Sequence, residues 1–184
     1  ERLIAMKKCC DAGYLIGLHF DPMIYYEDWK NGYRHLLDEI FSFLPIAQIA
    51  WISIGSLRFN PEMKDKMELN YPKTRLTTAE MVLGKDGKMR YVKPIRLEMY
   101  AYFYKLLQEK IGISELSPVK TPSHMKPIVY FCMERWDVWE SIMGDSPRSI
   151  GHLDYLFAKS LRSRYQGLGI QPPDLSLYEK YQST

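Results

Sequence analysis

Apolar positions recur at helical spacing over four long stretches of the chain and crowd into short, nearly continuous runs between them. Leu3, Ile4, Ala5, Cys9, Cys10 and Ala12 form the first helix-like set, which stops at Gly13, a residue suited to a left-handed helix end. "YLIGLHFDP" comes next as a short strand that Pro22 should end. Asp28 stands at the capping position of "WKNGYRHLLDEIFSFL", whose Trp29, Tyr33, Leu36, Leu37, Ile40 and Leu44 keep helical spacing until Pro45. "IAQIAWISIG" reads as a strand buried on both faces. After a long basic excursion, "MVLGKDGKMRYV" predicts a β-hairpin with Asp86-Gly87 at its tip. "IRLEMYAYFYKLLQEKIG" is a strong helix ended by Gly112, "KPIVYFCME" a third strand, and "SIGHLDYLFAKSLRSRY" a closing helix. From Gln171 the chain turns rich in proline and polar residues and is expected to pack irregularly.

The order helix, strand, helix, strand, excursion, helix, strand, helix predicts an α/β fold with a parallel sheet. Three strands alone leave an open edge. The helical pattern is already running at Glu1, so the expectation is a fragment whose N-terminal half lies elsewhere. Residues 1–145 are expected to form the α/β unit, with the basic loop and hairpin inserted at 58–94, and 146–184 the closing helix and tail.

Sites in parallel α/β folds gather at the C-terminal ends of strands. Alternation then sorts the side chains. Leu18 and Phe20 share a face suited to packing under helices, while Gly17, His19 and Asp21 share the other. Ser53 and Gly55 form the small, polar-tolerant face of the second strand. Tyr130, Cys132 and Glu134 share a face of the third. Each candidate has an ordinary structural role beside the functional one. His19 can be a hydrogen-bonded strand residue, Asp21 a turn former before Pro22, Cys132 a small buried residue and Glu134 a partner for Arg135 or a helix.

Composition narrows this only at a few points. Hydrophobic content of 46% and aromatic content of 14% can fill a core. The net charge of +3 is weak as a whole, but "KDGKMRYVK", Lys85 to Lys93, concentrates basic residues against a single acid, which suits an anionic partner. Cys9, Cys10 and Cys132 are too few for a disulfide framework and fit a reducing cytoplasm. The uncharged run from Ile40 to Leu57 has the length of a membrane span, yet Pro45 and Gln48 interrupt it and its period changes there, so no membrane segment is expected. His35, His124 and His152 are isolated, and no zinc spacing, phosphate loop or nucleophile motif is present.

"AGYLIGLHFDPMIYYEDWKNGYRHLLDEIF" resembles a segment of the spore photoproduct lyase family, in which a Gly-Tyr strand ends in a residue plus proline and leads into a GW-x-x-GYRHL helix. "RFNPEMK" and "NYPKT" resemble that family's RF, basic loop and NYPKT run at matching intervals. The resemblance is specific from Ala12 to about Thr77, is one of layout to Glu134, and goes no further. It implies radical S-adenosylmethionine enzymes on a partial (β/α) barrel, of which this chain would be the C-terminal part. In the family a C-x-x-x-C-x-x-C motif, absent here, holds a 4Fe-4S cluster. S-adenosyl-L-methionine is cleaved to a 5′-deoxyadenosyl radical that takes hydrogen from a methylene-bridged thymine dimer in DNA.

The resemblance implies an S-adenosyl-L-methionine contact at Asp21, where alanine is usual, so that a main-chain contact is the part carried over; His19 and Ser53, on the polar strand-end faces, are the further cofactor-binding candidates. It places Arg58 near the lesion and Lys64, Tyr71, Lys73 and Arg75 of the loop, with Lys88 and Arg90 of the hairpin, against damaged DNA. No protein partner is implied. The hairpin sequence departs from the family pattern, which leaves open a radical enzyme acting on another substrate and a nucleic-acid-binding module without catalysis. Radical chemistry on DNA requires the lesion to leave the stack, at a cost of about a few kcal/mol that phosphate contacts and an inserted hairpin can offset.

Overall fold

A computed structural model describes residues 1–114, 116–120, 126–174 and 176; His124 and most of the polar tail lie outside the described residues. Helix α1 (Arg2–Asp11) ends as its apolar pattern does: Gly13 takes φ +84 and its N–H bonds the Cys10 carbonyl. Strand β1 (Ile16–Met23) leads to helix α2 (Trp29–Phe43), a short 3-10 turn (Ile46–Gln48) and strand β2 (Ile49–Ser56). The basic excursion contains strand β3 (Arg58–Phe59), helix α3 (Met63–Asn70) and strands β4 (Met81–Leu83) and β5 (Met89–Tyr91). Helix α4 (Lys93–Ile111), strand β6 (Ile128–Phe131), helix α5 (Trp136–Met143) and helix α6 (Ile150–Arg164) come after it. β1, β2 and β6 form a parallel sheet in the order β1-β2-β6, with Leu18 opposite Ile52 and Ile52 opposite Val129.

The α/β class and the parallel sheet match the sequence pattern. Leu18, Phe20, Ile52, Ile54, Val129 and Phe131 are buried on one face, beneath α2, α4 and α5. Phe103 of α4 packs on Phe20 at 4.6 Å between ring centroids, and Phe131 meets both Tyr100 and Trp139. The opposite face is partly covered by α6. Phe157 packs against Trp51 and Tyr130, and Arg164 and Tyr165 donate hydrogen bonds to carbonyls of residues 46–49 at the foot of β2.

Several elements differ from the sequence reading. The first strand runs past Pro22, which is preceded by a cis peptide bond, to Met23, opposite Ser56. Asp28 begins α2, but its carboxylate accepts a hydrogen bond from the Asn31 side chain and not from the helix backbone. Ile46–Gln48 belongs to the 3-10 turn, because Pro45 and the return to the sheet demand a change of direction before the strand. In the excursion, α3 has no buried residue and therefore no apolar stripe to betray it. The hairpin forms as its Asp-Gly signal predicts: β4 and β5 pair antiparallel, with Gly87 at φ +73. β3 adds to β5, making a second sheet of order β3-β5-β4. α5 is also absent from the sequence reading, its eight residues being too few to show a period.

No helix among the described residues is long and apolar enough to cross a membrane, and the uncharged run is divided among α2, the turn and β2.

Candidate functional site at the strand ends

The register of β1 and β2 sets Gly17 beside Trp51 and His19 beside Ser53. The tight seam is made of glycines. A Cβ on Gly17 would lie 2.6 Å from the Trp51 ring, and one on Gly55 would lie 2.7 Å from the Asp21 carboxyl carbon. Gly55 thus gives the Asp21 carboxylate room to lie flat over β2.

Around that carboxylate three groups converge. The Ser53 hydroxyl is fully buried and has no hydrogen-bond partner of good geometry among the described residues. Burial pushes the Cys132 thiol up to about 11, and the neighbouring Asp21 carboxylate adds to the shift while Arg58 opposes it. Burial likewise raises the Tyr130 phenol; the Ser53 hydroxyl beside it opposes the shift, and Cys132 and Asp21 add to it. Asp21, Ser53, Tyr130, Cys132 and Arg58 therefore share one electrostatic neighbourhood at the C-terminal ends of all three parallel strands. The Asp21 carboxylate, the buried Ser53 hydroxyl beside Tyr130 and Cys132, and the Cys132 thiol form a polar floor suited to hydroxyl and amino groups of a bound molecule.

His19 stands one step back on the same face. It is exposed, and its Nε2 accepts a hydrogen bond from the Trp51 indole at 3.2 Å. Glu134 does not join the group, contrary to its parity in the sequence. The strand ends at Phe131, Met133 takes φ 56, and the turn sends Glu134 beneath α4. There its carboxylate accepts from Tyr100 and lies 2.9 Å from Arg96 Nε, both charged side chains being buried. Alternation fails where a left-handed residue interrupts the strand.

The second sheet is fastened over the same end of the molecule. Tyr91 is fully buried and its hydroxyl accepts the Tyr25 N–H from the segment after β1. Leu57 N–H bonds the Met23 carbonyl, and Val92 N–H the Glu80 carbonyl. Arg58 and Arg90 are directly opposite in β3 and β5, with Asp86 between them. A hydrogen bond from Thr77 to Glu68 at 2.8 Å ties α3 to the loop behind it.

The remaining sequence candidates are spread over this cap. Lys64 lies exposed on α3 and Lys88 half-buried in the hairpin. Tyr71 and Lys73 line a groove of about 710 Å³ with Met67, Pro72 and Leu76. Arg75 lines a separate cleft of about 630 Å³ with Tyr25, Tyr26 and Trp29. Tyr71 and Lys73 thus share one groove, while Arg75 lines another. Sequence reading passed over Asp86 except as a turn residue and gave Tyr130 no role; the basic residues on either side of Asp86 were the available signal for the first.

Among the described residues no group of three His, Cys, Asp or Glu could hold a metal ion. Cys9 is exposed, whereas Cys10 is buried and its thiol donates to Gln48. These cysteines do not make a cluster site with Cys132.

The profile of the spore photoproduct lyase family matches residues 1–116. The chain is 34% identical over 82 residues to spore photoproduct lyase of Bacillus subtilis (strain 168), covering 44% of this chain and 24% of that protein. It is 31% identical over 81 residues to spore photoproduct lyase of Geobacillus sp. (strain Y412MC61), covering 43% of this chain and 24% of that protein. The match thus spans about a quarter of the length of these relatives. Among solved structures, a cysteine-to-alanine variant of spore photoproduct lyase with dinucleoside spore photoproduct superposes with a TM-score of 0.53 at 24% identity. That superposition covers 71% of this chain and 38% of the other, and supports the shared fold. With more than half of its residues matched by the family profile, this chain belongs to the spore photoproduct lyase family.

Proposed function

We propose that this chain is the C-terminal part of a spore photoproduct lyase that repairs ultraviolet-induced thymine dimers in DNA. The observation that carries this reading is positional: the Asp21–Ser53–Cys132 floor and the basic antiparallel cap occupy the same end of the parallel sheet, with Arg58 reaching both. A binding floor under a positively charged cap is what a DNA lesion brought to a reactive centre requires.

The floor fits S-adenosyl-L-methionine. The buried Ser53 hydroxyl, which has no partner of good geometry among the described residues, and the Asp21 carboxylate offer a donor and an acceptor for ribose and amino groups, and His19 flanks them. When bound, S-adenosyl-L-methionine with a reduced 4Fe-4S cluster supplies a hydrogen-abstracting radical. The cysteines here do not fit the cluster, so its ligands are assigned to residues outside this sequence. The free edge of β1 would receive the further strands of a partial barrel. The chain's own tasks are to orient the cofactor on Asp21 and Ser53, to keep Cys132 protonated, and to hold DNA through Arg58, Arg90 and the exposed lysines.

The test is an anaerobic assay of the intact protein carrying this chain, on ultraviolet-damaged DNA with S-adenosyl-L-methionine and reductant. Thymine restored from the dimer supports the reading. Release of 5′-deoxyadenosine without repair replaces the substrate, and an upstream reading frame lacking C-x-x-x-C-x-x-C removes the radical chemistry.

A further inference from the structure

We propose that Asp86 is an internal stand-in for a phosphate: it occupies an anion site built by Arg58 and Arg90, and a nucleic-acid phosphodiester displaces it. The inference rests on the nucleic-acid reading above and adds to it a specific site and a gate.

Arg58 and Arg90 are cross-strand partners, an arrangement in which like charges repel. Two guanidinium groups therefore require an anion between them, and the chain supplies one carboxylate. Asp86 is ion-paired to Arg90, while its nearer oxygen stays 3.8 Å from Arg58 Nη1, too far for a hydrogen bond. The match is incomplete on both sides: Arg58 Nη1 and Arg90 Nε are buried with no hydrogen-bond partner among the described residues. Buried donors left unpaired cost free energy that a better acceptor recovers. One carboxylate offers two oxygens in a plane. A phosphodiester shares its single negative charge between two non-bridging oxygens set tetrahedrally with two ester oxygens beside them, and guanidinium forks match it bidentately.

The hairpin is shaped to keep Asp86 there and also to let it go. A Cβ on Gly84 would lie 2.6 Å from Arg90 Nε and 2.7 Å from the Asp86 carboxylate, so only glycine leaves room for the pair to lie across the turn. Asp86 also accepts the Lys88 N–H at 3.3 Å, a long bond within an exposed two-residue tip. Burial pushes its carboxyl up, but the Lys88 N–H and the Arg90 guanidinium outweigh that and hold it below the ordinary carboxylate range. Asp86 is thus an anion carried on the hairpin tip, while Arg58 and Arg90 sit on paired strands. Arg58 follows closely on β2, whose Ser56 stands opposite Met23 of β1, so the site lies at the C-terminal end of the parallel sheet.

The test measures binding of a fluorescent, thymine-rich duplex oligonucleotide to the intact protein as a function of salt. Asp86→Asn is expected to tighten binding about fivefold by removing the competing carboxylate. Asp86→Ser, which keeps an acceptor for the Lys88 N–H, gives the same gain and guards against loss of the hairpin. The gain disappears when Arg58 and Arg90 are both changed to Gln, and Arg90→Gln alone lowers the salt slope by about one. It is also absent for the same duplex with neutral methylphosphonate linkages. Equal or weaker binding by both Asp86 variants overturns the inference and leaves the DNA reading standing, as does a gain that survives loss of the arginines. No binding of the duplex by the unchanged protein overturns both.

Discussion

The parallel sheet and the antiparallel cap are held together by different physics. The sheet is buried against α2, α4 and α5 by large apolar side chains, with Phe103, Ile52, Ile54 and Val129 fully enclosed. The cap from Arg58 to Tyr91 has few buried side chains, mainly Phe59, Thr77 and Tyr91. Its α3 helix has none. It is held by backbone pairing, the Tyr91–Tyr25 hydrogen bond, the Thr77–Glu68 tie and the Arg58–Asp86–Arg90 group. Stability is concentrated in the first region, where each residue faces several others. Exposed cations, Lys64, Lys73 and Arg75 among them, belong to the second. Where the core does hold charge, at Arg96 and Glu134, the two side chains are buried as a pair, whereas the cap leaves Lys64 and Lys73 open to solvent.

The contrast is broken most sharply by Phe103→Ala, which removes a fully buried ring packed on Phe20 and Tyr33 and should cost about 3–5 kcal/mol in urea denaturation. A loss below about 1 kcal/mol would mean that the sheet and its helices are not one core. Arg96→Met comes next. It leaves the Glu134 carboxylate buried and uncompensated and should cost about 3–5 kcal/mol, the lower part of that range if Tyr100 keeps its hydrogen bond. The same variant should leave S-adenosyl-L-methionine affinity unchanged, because Glu134 lies under α4 and not on the floor; a changed affinity at preserved stability would return Glu134 to the site. In the cap, Tyr71→Ala removes an exposed ring from the groove and should change stability by less than about 0.5 kcal/mol. It should weaken oligonucleotide binding by about 1–3 kcal/mol if a base stacks there.

At the seam between the regions, Asp21→Asn should lower the Cys132 thiol from its raised value of about 11, because burial remains but the carboxylate's repulsion of the thiolate is gone. Iodoacetamide should then label Cys132 faster at mildly alkaline pH, by up to about tenfold. An unchanged rate would mean that burial alone sets the thiol.

The elements legible in the sequence were those with a long period or a strong turn signal. α2 shows its apolar face over four turns, α4 and α1 stop at glycines in left-handed conformation, and Asp86-Gly87 marks the hairpin. α3 and α5 were not legible, the first because it buries nothing and the second because it is short. In the site, strand alternation was enough to put Asp21 and Ser53 on one face of adjacent strands. It was not enough for Glu134, because a single left-handed residue at Met133 turns the chain away from the strand direction. Nor did spacing distinguish Arg58 and Arg90, which face each other, from Tyr71 and Arg75, which line separate clefts.

The sequence alone determined the α/β class, the places where helices stop, the hairpin tip and the family to which the chain belongs, because each depends on neighbours within a few positions or on short motifs. Tertiary structure decided that Asp21, Ser53, Cys132 and Arg58 meet, that Glu134 is a buried ion-pair partner, and that Asp86 stands between two arginines. Those meetings join residues dozens of positions apart, and they are fixed by strand register, by the room glycines leave and by the burial of Tyr91, none of which any local stretch of chain contains.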